Sequence, residues 1–261
     1  MPRTVAMMQP YWFPYFGYFQ LIAGADAFVL GDNLQYVHPG WVNRNRLLSC
    51  GAPALFTLPL KKDRSDLAIN QRELSDSAPQ VLGKLLKTIA MSYSRAPYRD
   101  DVLALLEPLM TCPERNLALY LEYSLRKVCE YLQIDTPIHV ASTLPVDERQ
   151  VLDKQDRVVK LARHFGAQRY LNPIGGTALY DEEYFARHDL ELRFHRMDEL
   201  CYTQFKDPFV PNLSIIDVLM FNPVSRIRQW LPCYSTLKPS AAQDTRRVAT
   251  SPSVHAIEMR S

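Results

Sequence analysis

The sequence predicts an α/β fold, an open and mostly parallel sheet carrying a helix-rich lobe. Three observations predict it. Val5–Met8 and Ala27–Leu30 are short apolar runs of strand length, separated by a segment with helical spacing. Further strand-length runs at 137–140 and 169–171 also alternate with helical stretches. Residues 79–132 keep an i, i+3, i+4 apolar pattern almost throughout. Strands that alternate with helices argue a layered architecture around a parallel sheet.

Val5–Met8 reads as a buried strand stopped by Pro10. Pro14 fits the first turn of a helix, where its missing N–H is harmless. That helix runs to Gly24, with Tyr15, Phe19 and Ile22 on one face. Ala27–Leu30 closes a β-α-β unit, expected as a right-handed crossover. Ala54–Leu60 is a further strand. Pro97 and Pro113 divide 79–132 into three helices, which anchor a lobe at about 78–135. Residues 137–140 form another strand. Val151–Phe165 is a helix that Gly166 ends. Arg169–Leu171 is a strand leading into Asn172-Pro173-Ile174-Gly175-Gly176, and Leu190–Phe194 alternates as a half-exposed strand. Short helices cover 213–221 and 224–231. Residues 1–232 are read as one α/β domain. Residues 233–261 are polar, with scattered Pro, Arg and Ser, and are expected to be a disordered tail.

Composition bounds the function classes. The 261 residues are 47% hydrophobic and 22% charged, as in a globular protein with a substantial core. A net charge of +2 gives no argument for a nucleic acid or a membrane surface. Five cysteines, Cys50, Cys112, Cys129, Cys201 and Cys233, lack C-x-x-C spacing and suit reduced thiols. The N-terminal apolar run is too short for a secretory signal, and no run approaches the ~20 residues that span a bilayer. No membrane insertion is expected. Six dispersed histidines suggest no metal ligand set. P-loop, G-x-G-x-x-G, G-x-S-x-G and H-E-x-x-H signatures do not occur in the sequence.

The densest information lies in residues 1–46. Aromatic rings are interleaved with side-chain amides, a carboxylate and two guanidiniums where the chain should leave strands for loops. That mixture suggests a pocket with apolar walls and a few orienting polar groups. The segments MQPYWFPYFGYFQLI (Met8 to Ile22), GDNLQY (Gly31 to Tyr36), WVNRNRLL (Trp41 to Leu48), YLNPIGGTALYDEEYF (Tyr170 to Phe185) and YTQFKDPFVPNLSIIDVLMFNP (Tyr202 to Pro223) resemble the WbqC-like proteins of bacterial polysaccharide gene clusters. The resemblance covers about residues 3–232. It implies a role in O-antigen and related glycan assembly, with transfer of glycine or another acyl group to an amino sugar. It also implies work in the cytoplasm on a nucleotide-linked amino sugar.

Within these segments Asp32 follows a strand and is the preferred acid/base candidate, with His38 in reserve. The competing reading of Asp32 is a turn or helix cap. Alternate positions of an extended segment face one way, so Asn43 and Asn45 share one side and Arg44 and Arg46 the other. The two guanidiniums would hold the diphosphate of a sugar nucleotide, against the alternative of a solvated basic loop. Trp41 would stack on a sugar or base, or anchor the core. Gln9, Tyr11, Gln35 and Tyr36 complete the expected substrate-binding set in this region. Tyr15-Phe16-Gly17-Tyr18 is similar in spacing to the H-x-G-H motif of class I nucleotidyltransferases and pantothenate synthetase-like ligases, a likeness that implies a nucleotidyltransferase or HUP-like version of the open sheet, but a phenol cannot carry a positive charge. Tyr15, Gly17 and Tyr18 therefore stand either as phosphate-site residues or as core packing. Asn172, Gly175, Gly176 and Tyr180 form a third loop whose glycines could present N–H groups to an anion. Ser214 reads as an N-cap, and Asp217 as a site support or the partner of an arginine.

Loops 9–18, 31–46 and 172–180 each follow a strand and are expected to meet in one cleft. The leading reading is a transferase that acylates or aminoacylates the amine of a nucleotide-linked amino sugar. Its acyl donor would be an aminoacyl-tRNA, a thioester, or an amino acid with ATP. Cofactor and oligomeric state cannot be read from the sequence. An ATP-dependent ligase or nucleotidyltransferase and a non-enzymatic sugar-nucleotide-binding protein are the alternatives.

Overall fold

A computed structural model describes residues 3–206 and 208–239. Its six-stranded sheet contains β1 (Thr4–Met8), β2 (Ala27–Leu30), β5 (Ile138–Val140), β6 (Arg169–Pro173), β7 (Glu191–Met197) and β8 (Tyr234–Leu237), in the order β5-β2-β1-β6-β7-β8. All neighbours are parallel except β7 and β8. The remaining strands, β3 (Arg44–Ser49) and β4 (Ala52–Thr57), form a separate antiparallel hairpin. Cys50 and Gly51 close it with φ of 52° and 79°, the positive values that a tight hairpin turn uses.

Alternation along the strands produces two cores. Ala6, Phe28, Leu30 and Leu171 face one; Val5, Met7, Ala27, Val29, Tyr170 and Phe194 face the other. The first core receives Phe19 and Ile22 of α1 (Phe16–Ala23), Leu82 of α2 (Ala78–Ser92), Leu106 of α3 (Arg99–Met110) and Leu125 of α4 (Leu117–Leu132). It also takes Leu219 of α7 (Ile215–Phe221) and Ile227 of α8 (Val224–Trp230), while the hairpin adds Leu47 and Phe56. The second core takes Val158 and Leu161 of α5 (Lys154–His164) and Phe185 of α6 (Glu182–Ala186). The chain thus winds outward from β1 toward β5 with its helices on one face. It then returns to β6 and β7 with its helices on the other, as right-handed crossovers in a doubly wound sheet require.

Two expectations change. Pro14 lies outside α1, because Phe13 takes a φ of 43° and Tyr15 is the extended N-cap. The expected disordered tail begins too early: residues 234–237 form β8, which adds to the β7 edge and places the Tyr234 ring 4.6 Å from that of His195. The rest of the expected tail, 240–261, lies outside the described residues. Other local readings agree with the structure. Ser214 caps α7 by accepting the Ile216 N–H at 3.3 Å, and Gly166, just after the Phe165 C-cap, has a φ of 59°.

Candidate active-site cleft

Asp32 stands two residues beyond the carboxyl end of β2 and is only 4% exposed. Three donors hold its carboxylate. The Ser142 backbone N–H reaches Oδ1 at 2.9 Å, the Ser142 hydroxyl reaches Oδ2 at 2.5 Å, and the Asn70 amide reaches Oδ2 at 3.0 Å. Ser142 belongs to a 3-10 turn, Ala141–Thr143, directly after β5; Asn70 lies in a 3-10 turn, Ile69–Gln71. Asn70 is tied onward, its carbonyl accepting from the Asn116 amide at 2.7 Å. Asn116 is the N-cap of α4 and accepts the Leu119 N–H at 3.2 Å. One carboxylate therefore pins the ends of two parallel strands, a turn and, through Asn70, a helix start.

These elements surround a cavity of about 560 Å³ whose polar wall includes Asp32, Asn70, Asn116, Glu122, Arg126 and Thr143. Pro10, Leu30 and Leu119 belong to its apolar wall. It opens beyond the carboxyl ends of β2 and β5, the side on which open α/β sheets bind ligands. The strand order reverses between β1 and β6, so the cavity lies to the β2/β5 side of that switch point. Glu122 and Arg126 face it one helical turn apart on α4, joined by an Nε–Oε1 hydrogen bond of 2.8 Å. His139 lies on β5, but its ring packs on Phe165 at 4.7 Å, among the residues of the opposite face. Burial lowers its pKa below the ordinary imidazole value, with nearby Arg126 adding to the effect. Among the described residues no three His, Cys, Asp or Glu side chains gather as a metal-ligand set.

Of the residues singled out in the sequence, Asp32 alone lines this cavity. Loops 9–18 and 31–46 do meet, but chiefly by packing on one another. The Trp12 N–H donates to Val42 O at 2.9 Å, and the Gln9 amide to Gln35 O at 3.1 Å. Asn43 and Asn45 share the buried side of the strand as expected, and that side is spent on the fold. Asn43 accepts the Tyr36 hydroxyl at 2.9 Å and donates to Leu58 O at 2.8 Å, while Asn45 donates to Phe13 O at 2.7 Å. Gln35 is exposed and donates to Ser65 O at 3.2 Å; His38 is exposed as well. The guanidiniums of Arg44 and Arg46 lie against Trp41, 5.6 and 5.4 Å from the ring centroid. Arg44 also donates to Gly40 O, and Arg46 to Asn212 O. All three are half-buried on the hairpin rather than in the cleft.

The tyrosines after β1 are packing residues. The Tyr18 hydroxyl donates to Gln9 O at 2.9 Å, and the Tyr11 ring lies 5.6 Å from that of Tyr18. Burial raises the pKa of Tyr11, Tyr15 and Tyr18, so all three are neutral phenols at pH 7. A β-carbon on Gly17 would stand 2.5 Å from the Tyr15 ring, so the glycine makes room for that ring.

The third loop departs from the expected single cleft. Asn172 alternates with Leu171 and shares the face of Tyr170, whose hydroxyl donates to Asn172 Oδ1 at 3.1 Å. Tyr180 lies beside Tyr170 with ring centroids 5.6 Å apart. Asn172, Tyr180 and the Gly175-Gly176 turn thus gather at the second core, across the sheet from Asn43 and Asn45. Gly176 packs under Asn172, whose amide nitrogen would be 2.2 Å from an added β-carbon. Asp217 supports this architecture from within: fully buried, it accepts from Tyr93 at 2.8 Å, Tyr202 at 2.6 Å and Gln204 at 2.8 Å. These partners replace the arginine weighed from the sequence.

Sequence reasoning missed Asn70, Asn116, Glu122, Arg126 and Ser142. They lie 38 to 110 residues from Asp32, and only the winding of the sheet brings them to it. Among the described residues no helix is long and apolar enough to cross a membrane. No solved structure matches the chain. The chain is 28% identical over 225 residues to "Uncharacterized protein Rv1507c" of Mycobacterium tuberculosis (strain ATCC 25618 / H37Rv), covering 84% of this chain and 94% of that protein. The sequence profile of the WbqC-like protein family matches residues 9–229. With that match extending over most of its length, the chain belongs to the WbqC-like protein family.

Proposed function

We propose that the protein is a cytoplasmic transferase in bacterial glycan biosynthesis. It would place an acyl or aminoacyl group, glycyl among the candidates, on the amine of a nucleotide-linked amino sugar. The observation that carries this reading is the fixed Asp32 carboxylate in a cavity of about 560 Å³ at the ends of β2 and β5. A carboxylate offers about four acceptor sites. Three donors engage Asp32, which leaves room for one hydrogen from a ligand. Asp32 accordingly orients the substrate.

Glu122 is linked to Arg126 through Oε1 and has its second oxygen to offer, so it suits proton acceptance better than Asp32 does. In the transfer, the bound ammonium first loses one proton to solvent by way of Glu122. The free amine then forms a bond to the acyl carbonyl carbon and the bond from that carbon to the donor's oxygen or sulfur breaks. The amine proton passes to the carboxylate and then to the departing alkoxide, thiolate or phosphate.

Family membership supports the glycan setting, and the cleft supports the choice of ligand face. The test is incubation of nucleotide-linked amino sugars with aminoacyl-tRNA, an acyl thioester, or an amino acid with ATP. Mass spectrometry then follows the sugar amine. A mass gain on that nitrogen, lost in Glu122→Gln, is expected. Sugar-nucleotide binding with no mass gain under any donor would replace this reading with a non-enzymatic one. Release of AMP or pyrophosphate with an unmodified amine would replace it with ligase or nucleotidyl transfer.

A further inference from the structure

The donor groups of Asn70, Asn116, Ser142, Thr143 and Arg126 each already make a bond within the protein, although Arg126 Nη1 and a second N–H on Asn70 and on Asn116 stay open. Asn70 Nδ2 donates to Asp32, Asn116 Nδ2 to Asn70 O, and the Ser142 N–H and hydroxyl to Asp32. Thr143 Oγ1 donates to Val140 O at 2.8 Å. Arg126 sends Nε to Glu122 and Nη2 to Ile138 O, both at 2.8 Å. Acceptors remain: the open position on Asp32, the second oxygen of Glu122 and the side-chain oxygen of Asn70. Two carboxylates face one guanidinium, which is itself paired with one of them. A cleft with spare acceptors and an excess negative charge repels phosphate and attracts donors.

We infer that this cleft receives an ammonium-bearing polyhydroxy group, held between Asp32 and Glu122, and that the phosphates of any attached nucleotide lie outside it. The inference rests on the proposed substrate and adds which end of it enters. The hydroxyls donate to Asp32 and Asn70, and the ammonium lies at Glu122. Arg126 pairs with Glu122, and its charge opposes the bound cation.

Calorimetry at about pH 7 tests this with methyl 2-amino-2-deoxyglucoside, methyl glucoside and inorganic pyrophosphate as probes. The amino sugar is expected to bind at least about tenfold more tightly than methyl glucoside, a difference of ~1.4 kcal/mol. Glu122→Gln should abolish that preference. Arg126→Gln should strengthen amino sugar binding, because a positive charge is removed. Pyrophosphate should not displace the amino sugar. Equal affinity for the two sugars, weaker amino sugar binding in Arg126→Gln, or displacement by pyrophosphate would each overturn the inference. Melting temperatures of both variants check that they fold. Transfer to an amine with no Glu122-dependent preference would spare the transferase reading and refute this one. An amine preference with no transfer would do the reverse.

Discussion

Ser142 donates twice to Asp32, through its backbone N–H at 2.9 Å and its hydroxyl at 2.5 Å, across 110 residues of sequence. The pair locks the turn after β5 to the loop after β2 and so fixes the floor of the cleft.

Ser142→Ala should therefore destabilise the protein, because a buried carboxylate loses one of its donors. The cost is expected at about 1–3 kcal/mol, as for a hydrogen bond to a charged group. Thermal denaturation would show a fall of about 2–4 °C per kcal/mol for a domain of this size. An unchanged melting temperature would mean that water replaces the hydroxyl at no cost.

His195 gives a pH dependence with a defined sign. Burial holds its pKa down at about 4, against an ordinary 6.5. Between those values the unfolded chain binds more protons than the folded one. The contribution is thus fully present above pH 6.5 and is lost as the pH falls toward 4. The full loss is on the order of 3 kcal/mol at 1.36 kcal/mol per unit. Urea denaturation across this range should show the decline in the wild type and a flatter profile in His195→Leu. Parallel profiles would show that other groups control the acid response.

The two adjacent glycines should behave differently. A β-carbon on Gly175 meets nothing within 4 Å, whereas one on Gly176 would stand 2.2 Å from Asn172 Nδ2. The Asn172 side chain is buried and bonded to Tyr170 and Pro173, so it has little room to yield. Gly176→Ala should cost about 1–3 kcal/mol by overpacking, and Gly175→Ala should be nearly neutral. Equal effects in chemical denaturation would contradict the packing argument.

Much of the fold is legible in the sequence, because local signals specify it. The apolar run Val5–Met8, the spacing of Leu121, Leu125 and Val128 on α4, and the Gly166 stop all describe structure within a few residues of themselves. The β8 strand is less legible: Tyr234-Ser235-Thr236-Leu237 is a short polar segment, ordered by the β7 edge beside it. The site is legible only at Asp32. Amides and arginines crowd the 43–46 segment, but parity turns Asn43 and Asn45 inward to satisfy backbone groups, and Trp41 lies against both arginines. Nothing local distinguishes Asn70, Glu122 or Ser142 from ordinary surface polar residues. Their role comes from the strand order, which periodicity does not encode.

The measurement that tests the central claim most directly is calorimetric binding of one nucleotide-linked amino sugar to four proteins: wild type, Asp32→Asn, Arg44→Lys and Arg46→Lys. A ligand in the cleft at the ends of β2 and β5 should lose at least about tenfold in affinity with Asp32→Asn, ~1.4 kcal/mol, because the amide puts a donor where an acceptor is needed. It should be unaffected by either lysine variant, since both arginines belong to the Trp41 cluster on the hairpin. Wild-type affinity in Asp32→Asn together with a marked loss in either lysine variant would contradict the account and move the ligand to the hairpin.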